Sequence, residues 1–219
     1  MIKIIYAEKR KPGLSREGFA RSWRSHAGDA MKCPDFWDPI LFYAQNDAVP
    51  NPPALRWLDP SYDAVGEVWY RTRADCDATL SGPSLGPITE DGDHIFARVD
   101  TMSMVADYTT IVDRRLAAVR LFAFIDRPEQ PEALAAAIAE LASADNVFAQ
   151  HVRQAGMGLA VAHATGCAAV LEFAYDTVAE AALAHSLLIE SVSLEALRPT
   201  LILAHSYLLY DKRNHETHG

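Results

Sequence analysis

Basic residues are scarce in this sequence: 20 Lys and Arg stand against 29 Asp and Glu, a formal net charge of −9. No Lys/Arg cluster interrupts that balance, which excludes a protein built to neutralise phosphates on nucleic acid or on an anionic membrane. Cysteine is as sparse. Cys33, Cys76 and Cys167 are odd in number and far apart, which favours reduced, packed thiols over a disulfide framework or a zinc knuckle. No window approaches the roughly 18 apolar residues of a membrane span, and the N-terminal "MIKIIYAEKRKPG" lacks the apolar stretch and cleavage site of a secretory leader. A soluble, cytoplasmic protein is expected.

Catalytic signatures are missing too. There is no Gly-Lys-Ser/Thr of a phosphate loop and no Gly-x-Ser-x-Gly elbow, and "AGMGLA" and "SGPSLGP" read as turns. The histidines are singletons except His215 and His218 in the tail, with no metal-ligand spacing. The expectation is therefore no metal and no organic cofactor, with a small molecule as the partner.

What is present is apolar mass and a repeat. Half of the 219 residues are hydrophobic, enough for one large domain or two of about 100 residues each. The segment "AVGEVWYRTRAD" (64–75) lies over "AVLEFAYDTVAE" (169–180), Ala44-Gln45 lies over Ala149-Gln150 at the same offset, and "KIIYAEKR" (3–10) resembles "RLFAFIDR" (120–127). Periodicity in the first copy predicts strands over 2–9, 40–46, 64–71 and 96–106, with helices over 15–31 and 73–80. The second copy predicts strands near 118–125, 147–153, 167–175 and 200–210, with helices near 131–143 and 178–190. Ser15 is a natural N-cap with Leu14 stapling onto Phe19, and Thr72/Asp75 and Thr177/Glu180 read as capping boxes. Residues 49–61 and 81–93 read as long loops, of the kind that often belongs to a site.

Two βαββαβ units each leave one sheet face bare, and each is the natural cover for the other. The predicted fold is α+β: two ferredoxin-like repeats, 1–112 and 116–211, whose antiparallel sheets pack face to face as an intramolecular barrel, followed by a flexible tail, 212–219. The ligand cavity is expected between the sheets. Strand alternation puts the bulkier 169/171/173/175 face under the helices, so Val65, Glu67 and Trp69 point between the sheets, with Glu67 and Glu172 in pseudo-twofold-related places. A glutamate there is either neutralised by a partner or raised in pKa. In the first helix Phe19, Trp23, Ala27 and Met31 form a buried stripe, and His26 falls three residues after Trp23 at its edge, either as a core histidine bonded to a carbonyl or as a pocket residue.

The first strand followed by "KRKPGLSREGF", then "RSWRSHA", "YDAVGEVWY" after a Pro-rich loop, and "EDGDHIFARVD", resembles the EthD family of the dimeric α/β-barrel superfamily over roughly residues 1–108. The second half looks like a diverged copy without the His and Trp landmarks. The resemblance implies that Trp23, His26, Trp69 and the segment Asp91 to Phe96 line or border a pocket, although His26 stands three residues after the tryptophan where many members have four. It also implies relatives that act as dehydratases, isomerases or cofactor-free monooxygenases on aromatic or polyketide-like molecules. The expected function is acid/base catalysis of the dehydratase, isomerase or cyclase type on such a compound. The alternatives are a cofactor-free monooxygenase and a non-catalytic binding or accessory protein. His26, Tyr43, Glu67 and His94 are the candidate proton-transfer residues, and Phe19, Trp23, Trp69, Tyr6 and Phe96 the candidate walls. A monomer or weak dimer is expected, because the face that drives dimerisation in single-copy relatives is covered internally.

Overall fold

The computed structural model describes residues 1–127, 130–191 and 197–213. The first half runs β1 (Ile2–Glu8), α1 (Arg16–Ala30), α2 (Pro34–Trp37), β2 (Ile40–Ala48), β3 (Ala64–Tyr70), α3 (Arg73–Ser81), α4 (Leu85–Gly92) and β4 (Met102–Asp113). The second runs β5 (Val119–Ile125), α5 (Pro131–Ser143), α6 (Val147–His151), β6 (Gln154–Thr165), β7 (Ala169–Tyr175), α7 (Val178–Ser191) and β8 (Thr200–Asp211). Residues 214–219 of the expected tail, with His215 and His218, lie outside the described residues.

All strand pairs are antiparallel and the sheet closes in the order β1-β3-β2-β8-β5-β7-β6-β4. Each half contributes four neighbouring strands, and the seams β2–β8 and β4–β6 pair the second strand of one half with the last strand of the other. Closure leaves no edge open to a further chain. The predicted intramolecular α/β barrel is the fold. Its helices start where the sequence places caps: the Ser15 hydroxyl accepts from the Gly18 N–H at 3.0 Å, and Thr72/Asp75 and Thr177/Glu180 both form reciprocal boxes. Leu14 packs on the cluster that contains Phe19.

Three elements differ from their sequence reading. The strand expected at 147–153 is helix α6, because the Asn146 side chain accepts from the Ala149 N–H at 2.8 Å and starts a helical turn. Strand β6 begins only at Gln154. The segment 81–93 is not all loop: it holds α4, where Pro87 falls in the first turn and its missing N–H costs nothing. The strand expected at 96–106 starts at Met102.

The alternation along β7 is as read from the sequence. Leu171, Phe173 and Tyr175 face α5, α6 and α7 together with Leu121 and Ile125, whereas Val170, Phe122 and Phe124 point into the barrel against Ile5, Val65 and Met104. The space between the sheets is therefore a filled core. An eight-stranded barrel is just wide enough for its own side chains, and a space of about 160 Å³ remains at one mouth, beside Trp69, Tyr108 and Arg120. The expectation of the ligand cavity between the sheets is overturned.

Near that mouth the interior turns polar. Lys3 Nζ lies 2.6 Å from Glu67 and 2.5 Å from Glu172, all three fully buried, and sits over the rings of Trp69 and Tyr108 at 4.6 and 4.4 Å. Arg120 approaches Glu67 at 3.9 Å. Two cations and two carboxylates make a balanced cluster, the form in which buried charge is tolerated. Burial alone would raise the Glu67 carboxyl, but the charges of Lys3 and Arg120 outweigh it and hold it at about 2. Glu172 is raised, burial outweighing Lys3.

Candidate functional site

The cavity lies on the opposite side of the first half-sheet. A space of about 330 Å³ separates the outer face of β1, β2 and β3 from helices α1 to α4. Even-numbered residues of β1 and β3 face it because odd-numbered ones face the barrel core. Ile4, Val68, Trp37, Leu80, Ile88 and Phe96 supply apolar wall, and Tyr6, Glu8, His26, Tyr43 and Arg98 supply polar groups. The volume falls within the range of small-molecule sites, which combine apolar walls with a few placed polar groups.

His26 reaches the cavity from α1 and is held by α4. Its Nδ1 lies 2.6 Å from Asp91 Oδ2, and its ring meets the Phe96 ring edge-on. With Nδ1 on a carboxylate, Nε2 is the ring nitrogen left for a ligand, the orientation used where a histidine exchanges protons. The Trp23 spacing explains the placement. Trp23 is fully buried against Phe19 and Phe96, and a residue three positions later lies on the flank of that stripe, at the cavity wall.

Tyr6 and Tyr43 form the polar part of the floor, their hydroxyls 3.5 Å apart. Burial raises both phenols above the ordinary tyrosine value, so both are neutral near pH 7. Glu8 is buried as well; it accepts from Arg98 at 2.9 Å and from the Thr101 hydroxyl at 3.1 Å, and burial leaves its carboxyl raised although Arg98 pulls the other way. Arg98 also reaches Asp93 at 3.0 Å, just past the end of α4, and adopts a left-handed backbone with φ of 56°.

Four of the residues chosen from the sequence line the cavity: Tyr6, His26, Tyr43 and Phe96. Phe19 and Trp23 pack behind it. Glu67 and Trp69 do not share it, because their odd register on β3 turns them into the barrel. His94 is exposed in the turn after α4, away from the cavity lining. The sequence reading missed Glu8, Arg98 and Gln45; a Glu and a Gln inside apolar strands were the available signal. Among the described residues no group of three or more His, Cys, Asp or Glu is placed to hold a metal ion, and no helix is long and apolar enough to cross a membrane.

The two halves differ at this layer. Where the first half has Tyr6 opposite Gly66, the second has Ala123 opposite Leu171. Together with Phe148, Phe173 and Leu188, these fill the space under α5 to α7.

Residues 11–98 match the EthD domain family. The matched stretch contains α1 to α4, His26, Tyr43 and Asp91, while Tyr6 and Glu8 lie just before it. No curated protein matches the chain in sequence. Among solved structures, an anthrone oxidase-like protein superposes with a TM-score of 0.58 at 14% identity, over 96% of this chain and 94% of that one. A candidate monooxygenase from Lactobacillus acidophilus NCFM does so with a TM-score of 0.55 at 10% identity, over 96% of both chains. A variant of chlorite dismutase from Candidatus Nitrospira defluvii gives 0.55 at 14% identity, over 94% and 91%. At these identities the likeness is one of fold, spanning both halves of the barrel.

Proposed function

We propose that the EthD half is an acid/base enzyme acting on a small, largely apolar, aromatic or polyketide-like compound, with one site per chain and the second half serving to close the barrel. The observation that carries the reading is the His26–Asp91 pair at the wall of an apolar cavity whose floor holds two neutral phenols. His26 Nε2 takes or returns a proton at the carbon next to a carbonyl or phenolic centre, as a dehydration, isomerisation or cyclisation requires. Asp91 fixes the tautomer and stabilises the imidazolium that forms. The chain works as a monomer in this reading, since the barrel is complete within it.

The test combines ligand discovery with one substitution. Native mass spectrometry of the purified protein, followed by a screen of aromatic ketones and phenols, identifies a bound compound. His26→Gln then leaves its affinity nearly intact and lowers turnover by about a hundredfold or more. Equal turnover in the variant refutes the acid/base role and leaves a binding protein. Oxygenation of the same compound class is the second reading, supported by the fold neighbours designated as monooxygenase-like and anthrone oxidase-like. Oxygen uptake coupled to product formation decides for it.

A further inference from the structure

The hydrogen bonds behind the two phenols run in one direction. Arg24 is clamped by both oxygens of Asp47, at 3.1 and 2.5 Å, and donates to Gln45 Oε1 at 2.9 Å. That fixes the Gln45 amide, because its NH2 must then face the other way. Gln45 Nε2 donates both to the Trp23 carbonyl and to the Tyr43 hydroxyl oxygen, each at 2.9 Å. The Trp23 indole N–H is buried near the phenols without a hydrogen-bond partner of its own; burial, the larger effect, keeps both phenols raised although the indole pulls the other way. Among the described residues, the side chains that reach the hydroxyls from behind, Gln45 and Trp23, present N–H donors.

Donors at the back leave the phenolic protons to the front. If Tyr43 donates to Tyr6 across their 3.5 Å gap, the Tyr6 proton has no acceptor among the described residues; if Tyr6 donates, the Tyr43 proton has none among them. One O–H, joined by the indole N–H, thus meets no acceptor on either choice, and the cavity is the side on which one can be supplied. The carboxylates nearby are otherwise engaged: Glu8 by Arg98 and Thr101, Asp47 by Arg24, and Asp91 by His26.

The backbone is shaped for this. Tyr6 lies directly across from Gly66 on β3, and Gly66 lies across from Gln45 on β2. A Cβ at Gly66 would fall 2.1 Å from Tyr6 Cζ, so the Tyr6 ring occupies the space that a side chain at 66 would take. Only the missing side chain lets the ring lie over β3 and bring its hydroxyl to Tyr43 on the next strand.

We infer that Tyr6 and Tyr43 form a cradle for an oxygen anion, the free O–H donating first and the second turning to the anion as their long 3.5 Å contact gives way, so that the compound bound in this cavity is a phenol or an enolisable ketone held through its phenolate or enolate oxygen. This rests on the proposed function above and names the ligand chemistry that function requires. Preorganised neutral donors in a dry site stabilise developing negative charge without reorganisation, which is how an oxyanion becomes accessible at neutral pH. Gln45, Arg24 and Gly66 are positioning residues: they act on the ligand through the two hydroxyls.

The experiment uses the whole chain and 4-nitrophenol, whose phenolate is read by its visible absorbance. The probe is titrated across pH, free and with saturating protein, for wild type, Tyr6→Phe, Tyr43→Phe and Gln45→Leu. The expected result is a bound phenolate favoured over the phenol by about tenfold to a hundredfold relative to free solution, the strength of a charge-assisted hydrogen bond. That preference falls by about tenfold in each Tyr→Phe variant and by less in Gln45→Leu, while circular dichroism confirms that the variants fold. A probe bound equally as phenol and phenolate, or a preference unchanged in both Tyr→Phe variants, overturns the cradle and leaves the cavity as a ligand site. No binding by the folded wild type overturns both the cradle and the cavity reading.

Discussion

Lys3→Met is the most informative perturbation of the fold, because it removes a cation that touches both buried glutamates. At the 2.6 Å between Lys3 Nζ and Glu67, an effective dielectric of roughly 20 gives a gross attraction of about 6 kcal/mol. The desolvation already suffered by all the partners offsets part of this, and breaking a buried pair by deleting one partner costs about 3–5 kcal/mol in practice. The substituted protein keeps two carboxylates, with Arg120 left as the one cation of the cluster. Glu67 then rises above its unfolded value of about 4.3, and Glu172, raised already, goes higher. A carboxyl raised in the folded state destabilises it at pH above the folded pKa. That deficit shrinks as pH falls through the folded pKa towards the unfolded one.

Urea denaturation followed by tryptophan fluorescence at pH 7 and at about pH 4.5 measures both effects. The variant loses about 3–5 kcal/mol at the higher pH, which a domain with roughly 5–15 kcal/mol of stability survives, and most of the gap to wild type closes at the lower pH. Adding Glu172→Gln to Lys3→Met restores much of the loss at pH 7. A deficit under about 1 kcal/mol at pH 7, or one of equal size at both pH values, would show that the cluster is not ionised as described.

Gly66→Ala should cost about 1–3 kcal/mol by overpacking, because its Cβ falls on the Tyr6 ring; an unchanged melting temperature together with unchanged ligand affinity would refute that contact. Asp91→Asn keeps the cavity and removes the carboxylate that holds His26, so turnover should fall by about tenfold or more with affinity little altered; a steady-state comparison with His26→Gln checks it, and unaltered turnover contradicts the pairing. Burial pushes the Cys76 and Cys167 thiols up to about 11 and about 12. A thiol reagent at pH 8 should therefore label both slowly in the native chain and readily only in denaturant, which mass mapping of the labelled peptides decides.

Strand alternation and the internal repeat determined most of the architecture. Lys3 lies over Arg120 and Glu67 over Glu172 in the two copies, so the charged cluster in the barrel was already written as two symmetric pairs, although the contacts Lys3–Glu172 and Arg120–Glu67 that cross between halves appear only when the barrel closes. Capping chemistry fixed where α1, α3 and α7 begin, because a cap is a contact between residues three apart. The Trp23 to His26 spacing placed the histidine at the edge of a buried stripe for the same local reason.

The side of the sheet that carries the cavity was decided by tertiary structure. Both faces of β3 are buried, so its sequence offers no polar face to choose between them. Eight strands close too tightly to leave room inside, and the free volume instead collects under α1 to α4. Gly66 reads as an interruption in a strand, and Tyr6 and Gln45 as residues of two other strands. Their joint meaning, a ring lying where a side chain is missing so that two hydroxyls meet, depends on β1 and β2 flanking β3 in one register. Non-local pairing of that kind leaves no trace in the spacing of residues along the chain.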